Sequence, residues 1–115
     1  MKNKTIIGIA LLLLLAACAK QQVSSSETVA ETLADFTVTI KNFKFVPDML
    51  TVKEGQTIKW VNEDDAIHTV EANNNAFASP ELFKGDSWTF TFNKKGAYEY
   101  ICGIHPTMKG KVVVE

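Results

Sequence analysis

Cysteine, histidine and methionine recur at every third position in Tyr98-Glu99-Tyr100-Ile101-Cys102-Gly103-Ile104-His105-Pro106-Thr107-Met108. Such spacing lets one loop curl around a single ion and offer it a thiolate, an imidazole and a thioether. The chain holds 2 histidines in all. The second, His68, lies in Asn62-Glu63-Asp64-Asp65-Ala66-Ile67-His68-Thr69. Two imidazoles and a thiolate in a plane, with a weak axial thioether, form the ligand set of electron-transfer copper. The expected cofactor is therefore one type 1 copper ion, cycling between Cu(I) and Cu(II), on His68, Cys102, His105 and Met108. A structural zinc site would favour further cysteines or a carboxylate over methionine. A dinuclear copper site would need a second cysteine in the same loop.

Two other readings use the same residues. A copper-delivery or copper-storage protein would expose an exchangeable site and would carry methionine-rich or histidine-rich tracts, which the sequence lacks. A metal-free interaction module would leave Cys102 as core filler, His68 as a loop residue and Met108 as packing. All four residue types falling in two loops argues against that coincidence.

The elements that must position these residues read as strands. Beyond Asp35 the sequence shows short period-two stretches separated by turn residues, the signature of a β-sandwich or barrel. Expected strands are Phe36–Ile40, Leu50–Lys53, Thr57–Asn62, Thr69–Ala72, Ser87–Phe92, Ala97–Ile101 and Lys111–Glu115. Parity places Phe36, Val38 and Ile40 on one face, and Trp88, Phe90 and Phe92 on another, with the intervening threonines outward. Cys102 shares parity with Tyr98 and Tyr100, so it should point inward. Glu54-Gly55-Gln56, Lys84-Gly85-Asp86 and Lys94-Lys95-Gly96 supply turns. The expected fold is all-β, a two-sheet Greek-key β-sandwich of seven or eight strands.

The ends and the charge narrow the setting. Lys2 and Lys4 precede an apolar stretch from Ile6 to Ala17 that is short for a membrane span and reads as a signal peptide. It closes on Leu15-Ala16-Ala17-Cys18, which resembles the lipobox of bacterial lipoproteins, where the cysteine becomes an acylated N-terminus. The expected organisation is a signal segment over 1–17, a lipidated Cys18 with a flexible tether to Ala34, and one folded domain over 35–115. The tether is polar and aperiodic, with a coil dimension of roughly 20–24 Å. This predicts export to a bacterial periplasm or cell envelope with a membrane anchor. An oxidising compartment leaves Cys102 without a disulfide partner once Cys18 is acylated, which a metal would explain. With 12 basic and 13 acidic residues there is no electrostatic footprint for nucleic acid.

From Phe36 to Glu115 the chain resembles the cupredoxin family. The match is carried by Gly96-Ala97-Tyr98-Glu99-Tyr100 and by His105-Pro106-Thr107-Met108-Lys109-Gly110-Lys111-Val112-Val113-Val114-Glu115. Phe45-Val46-Pro47, Leu50-Thr51-Val52-Lys53-Glu54-Gly55 and Trp60-Val61-Asn62 support it upstream. The short cysteine, histidine and methionine spacing is similar to that of amicyanins, whereas plastocyanins have a longer gap before the methionine. The resemblance implies a mononuclear type 1 copper and one-electron transfer, with no substrate turned over. It also implies a monomer whose partners are redox proteins such as a cytochrome, dehydrogenase, oxidase or reductase.

Two positions depart from the family pattern. Thr69 stands where asparagine usually follows the first histidine ligand and ties the two ligand loops together. Ile104 stands where amicyanins carry proline, so it keeps a backbone N–H. That N–H is expected to donate to the Cys102 sulfur and raise the potential. The outer edge of His105 is expected to reach the surface in an apolar docking patch with Ile104 and Pro106, and with Ile67, Ala66 and Pro47 as neighbours. The run Glu63-Asp64-Asp65 reads as a solvated loop that steers basic partners if it rims that patch.

Overall fold

The computed structural model describes residues 33–115, which fold as one unit without a helix among them. The expected signal segment, Cys18 and the tether as far as Thr32 lie outside the described residues. Eight strands follow in order: β1 (Phe36–Lys41), β2 (Lys44–Val46), β3 (Met49–Val52), β4 (Gln56–Asn62), β5 (Glu71–Ala72), β6 (Ser87–Phe92), β7 (Gly96–Ile101) and β8 (Lys109–Val114).

They form two four-stranded sheets, ordered β2-β1-β4-β6 and β3-β8-β7-β5. The β1–β4 and β3–β8 pairs are parallel, and the other neighbours are antiparallel. From β2 to β7 each strand crosses to the other sheet, so both sheets depend on connections over the ends of the sandwich. His68 sits in one such connection, from β4 to β5, whereas Cys102, His105 and Met108 sit in the loop that joins β7 and β8 within one sheet.

Alternation fills the space between the sheets as expected. Val38 and Ile40 of β1, Phe92 of β6, Tyr98 and Tyr100 of β7, and Val112 and Val114 of β8 all point inward and are buried. Trp60 of β4 lies at the centre, fully buried, with the rings of Trp88, Phe77, Phe92 and Tyr100 at 5.6 to 6.5 Å. Its edge-on contact with Tyr100, at 5.7 Å and 85°, joins one sheet to the other. Burial pushes the Tyr100 phenol up to about 12, so this ring stays neutral at any ordinary pH.

Three features differ from the sequence reading. β2 was not anticipated, because three residues ahead of a proline are too few to show a period. The expected strand Thr69–Ala72 shrinks to Glu71–Ala72, since the amides before it are engaged elsewhere. Thr69 N–H points at the Cys102 sulfur and Val70 N–H donates to Ser79 Oγ. Phe77, outside any strand, is 5% exposed and packs on Trp60, Phe90, Phe92 and Tyr98, so a loop residue completes the core.

Phe77→Ala should therefore cost about 3–5 kcal/mol of unfolding free energy, as for other buried aromatics. Phe83→Ala, at an exposed position of the same connection, should stay within about 0.5 kcal/mol of the parent. Denaturant unfolding of both variants checks the contrast, and equal losses would contradict the placement of Phe77.

Candidate metal centre

β4 ends on Asn62, whose side chain is fully buried and spends its hydrogen bonds on the following loop. Its Nδ2 donates to the carbonyls of Ala66 and Leu82, each at 2.8 Å, and its Oδ1 accepts the Asp64 N–H at 2.9 Å. One amide thus shapes the turn leading into His68. His68 is then fixed by a reciprocal pair of backbone bonds with Leu82.

Asp64 connects this loop to the β1–β2 hairpin. Its carboxylate accepts the N–H groups of Asn42 at 2.7 Å and Phe43 at 2.9 Å, and Oδ2 also lies 2.9 Å from His68 Nε2. A carboxylate can only accept, so Nε2 carries the imidazole proton and Nδ1 presents a lone pair. Desolvation raises the Asp64 pKa, but the Phe43, Asn42 and His68 donors outweigh it and hold the value below the ordinary 3.8.

Asn42 and Phe43 have φ of 52° and 58° and fill the two central positions of the hairpin turn, as a type I′ turn requires. The left-handed region is costly for a bulky residue, and the two bonds to Asp64 secure it there. Phe43 then meets both imidazoles edge-on, with ring centroids 5.2 Å from His68 and 5.0 Å from His105.

The second loop leaves β7 and closes on itself. His105 N–H donates to Cys102 O, Met108 N–H to His105 O, and Cys102 N–H to Met108 O, at 3.2, 2.9 and 3.2 Å. β8 starts directly after Met108, where Gly110 pairs with Tyr100. A Cβ at Gly110 would stand 2.1 Å from the Tyr100 ring, so the loop's exit needs glycine for close approach.

The two loops bring three donor atoms to one point. Cys102 Sγ lies 3.6 Å from His68 Nδ1 and 3.7 Å from His105 Nδ1, and the two nitrogens are 3.2 Å apart. The point equidistant from the corners of that triangle is about 2.0 Å from each, matching a metal–imidazole bond of about 2.0–2.1 Å. His68 and Cys102 are fully buried, His105 half-buried. Uncompensated lone pairs so close in a dry site repel, and a cation at the centre removes the conflict. The residues present fit a bound metal.

Of the residues singled out in the sequence, His68, Cys102 and His105 therefore converge. Met108 is buried, 3% exposed, with its backbone tied to both Cys102 and His105. Thr69 does join the loops: its Oγ1 accepts the Gly103 N–H at 2.8 Å and donates to Glu71 Oε2 at 2.6 Å. Its backbone N–H lies 3.4 Å from the Cys102 sulfur. Among the described residues that amide, and not the expected Ile104 N–H, is the backbone donor to the sulfur. The Ile104 side chain is 46% exposed, beside half-buried His105 and exposed Pro106. Ile67 and Ala66 are half-buried and Pro47 is exposed. Asp64 leaves the solvated acidic run expected of it, because its carboxylate is committed to three donors. Phe43 and Glu71 went unnoticed in the sequence, as did the bond from Asp64 to His68. An Asn-Phe pair between two lysines gives no strong turn signal, and a carboxylate four residues before a histidine is a common accident.

The profile of the Cupredoxin-like domain matches residues 7–114. The chain belongs to the cupredoxin-like family. Within that family it is similar to amicyanins. It is 36% identical over 83 residues to the amicyanin of Paracoccus versutus, an alignment covering 68% of this chain and 63% of that relative. It is 35% identical over 99 residues to the amicyanin of Paracoccus denitrificans, covering 80% and 76%. The fold also superimposes on the Cu(I) structure of a methionine-to-alanine variant of amicyanin, with a TM-score of 0.66, 34% identity, and 70% and 81% of the two chains covered.

The Asp64 hub makes stability depend on acid. Its folded pKa is depressed, so the ionised carboxylate stabilises the fold above the ordinary 3.8, and the contribution is lost as pH falls through the folded value. Asp64→Asn should lose about 1 kcal/mol near neutrality, because one half-buried acceptor becomes a donor facing donors. The gap between variant and parent should close in strong acid. Denaturant midpoints of the metal-free proteins, measured across pH, test this, and a gap constant with pH would contradict it.

Proposed function

We propose that the chain is a mononuclear blue-copper electron carrier in which His68, Cys102 and His105 would hold the copper and Met108 would add a weaker thioether contact. The observation that carries this reading is the buried triangle of one sulfur and two imidazole nitrogens. Copper bound there supplies one-electron exchange. Around it the protein holds a geometry that serves both oxidation states. Asp64 sets the tautomer and orientation of His68, and the Thr69 N–H stabilises charge on the Cys102 sulfur. Burial keeps water and oxidants from the thiolate. The closed loop from Cys102 to Met108 limits how far the donors move, and small reorganisation favours rapid transfer. The same burial argues against a delivery protein, which would need ligands open to exchange.

Half-buried His105, between exposed Phe43, Ile104 and Pro106, is the natural exit for the electron. A small apolar contact suits a carrier that must release its partner quickly. The partners are redox proteins such as a cytochrome, dehydrogenase, oxidase or reductase. Of the acidic run only Glu63 and Asp65 remain for steering, and Asp65 already meets Lys84 at 2.8 Å. The leader supports export to the periplasm or cell envelope, with segment 1–17 removed, acyl chains on Cys18, a tether to Ala34 and the domain over 35–115.

Titration of the metal-free protein with Cu(II) should give one equivalent bound and an intense blue absorption. Cys102→Ser should abolish the colour. Met108→Leu should stay blue with a raised potential, since losing an electron-donating ligand destabilises the more highly charged Cu(II) more than Cu(I). A colourless complex, or several equivalents, would refute the carrier reading. In cells, Cys18→Ala should move the protein from the membrane to the soluble envelope fraction, and an unchanged distribution would refute the anchor.

A further inference from the structure

The link between the two metal-site loops is built from three residues. Thr69 follows His68 and Gly103 follows Cys102, and the Thr69 hydroxyl accepts the Gly103 N–H at 2.8 Å. A hydroxyl has one proton to give. Two acceptors lie near it: Glu71 Oε2 at 2.6 Å and Cys102 Sγ at 4.0 Å. The shorter, charge-assisted bond to Glu71 takes the proton. The hydroxyl's lone pairs then face Gly103, and the sulfur keeps only the Thr69 amide as donor.

Gly103 is part of the same arrangement. A Cβ built on it would lie 1.6 Å from Glu71 Oε2 and 2.6 Å from Glu71 Cδ. Its φ is not in the left-handed region, so the backbone alone does not demand glycine. What demands it is the carboxylate lying against its Cα.

We propose that Glu71 is a positioning residue for the metal site. Its carboxylate holds the Thr69 hydroxyl proton away from the Cys102 sulfur, staples the loops through Gly103 and lowers the reduction potential. This rests on the copper reading. Two contributions share one sign: a nearby negative charge favours Cu(II), and so does a thiolate with fewer hydrogen-bond donors. Removing Glu71 takes away the charge and frees the hydroxyl to turn toward the sulfur.

The test uses Glu71→Ala, Glu71→Gln, Thr69→Val and Gly103→Ala, with the double variants Glu71→Ala/Thr69→Val and Glu71→Ala/Gly103→Ala. In the copper-loaded proteins, Glu71→Ala should raise the potential and shift the sulfur-to-copper absorption band. The rise should be smaller in the Thr69→Val background, where no hydroxyl can turn. Gly103→Ala should displace the carboxylate and shift the potential in the same direction but by less than Glu71→Ala, since the charge stays nearby, and the double variant at 71 and 103, free of the clash, should match Glu71→Ala. In the metal-free protein, Gly103 amide exchange should quicken on the order of tenfold in Glu71→Ala and Thr69→Val, as for loss of one hydrogen bond. Glu71→Gln, whose carbonyl can accept the same proton, should keep it slow.

Potentials and bands equal to the parent in Glu71→Ala and Glu71→Gln would overturn the proposal. So would a Glu71→Ala shift undiminished by Thr69→Val. The exchange measurement needs no copper, so unchanged Gly103 exchange in Glu71→Ala overturns the staple whatever the metal result. A parent that binds no copper refutes the carrier reading instead.

Discussion

Two imidazole nitrogens and a sulfur held within 3.2 to 3.7 Å of one another, out of water, are the constraint on which the rest of this molecule turns. Left to themselves these groups would separate, swing their lone pairs into solvent or take up protons. That they do not is the work of hydrogen bonds further out. Asn62 fixes the approach to His68, Asp64 fixes its ring, and Thr69 ties its loop to the one carrying Cys102 and His105. A site of this kind is preorganised, with the cost of crowding the donors met in advance by the folding of the domain.

The sandwich supports such preorganisation because the His68 loop spans both sheets. It leaves β4, in the sheet with β1, and enters β5, which pairs with β7 in the sheet where Cys102 to Met108 join β7 and β8. Trp60, two residues before the end of β4, and Tyr100, two residues before Cys102, press these sheets together next to the loops, and Gly110 lets Tyr100 lie directly against the start of β8. Relative motion of the loops therefore requires sliding of aromatic rings packed at core density, which is strongly resisted.

How much of this was readable in advance depended on the range of the interaction. Cys102 and His105 are close in the chain, and two histidines leave little choice, so the three residues that the fold brings together could be named without coordinates. Parity likewise placed Val38, Ile40, Phe92 and Tyr100 correctly, because a strand's period is local. Asp64, Phe43 and Glu71 act across loops, and their roles exist only once β1, β4 and β7 are assembled. Ile104 illustrates the limit from the other side. A free backbone N–H beside the cysteine suggested a bond to sulfur, yet the donor came from Thr69, 33 residues away. Phe77 was overlooked for the same reason, being a core residue on a segment with no period to betray it.

β6 marks one border of its sheet, with no strand on its outer side among the described residues. Its sequence, Ser-Trp-Thr-Phe-Thr-Phe, is uncharged, aromatic and strongly β-prone, the composition that invites edge-to-edge stacking between chains. Asp86 at one end and Lys94 and Lys95 at the other frame it with charge, as gatekeepers do. Phe77 folds over Trp88 and Phe90 from the loop side, half-burying both. The segment from Asn73 to Leu82 therefore acts as a guard on colloidal behaviour as well as a backstop for His68. A chain in which that segment comes loose would present a sticky margin before it lost its fold.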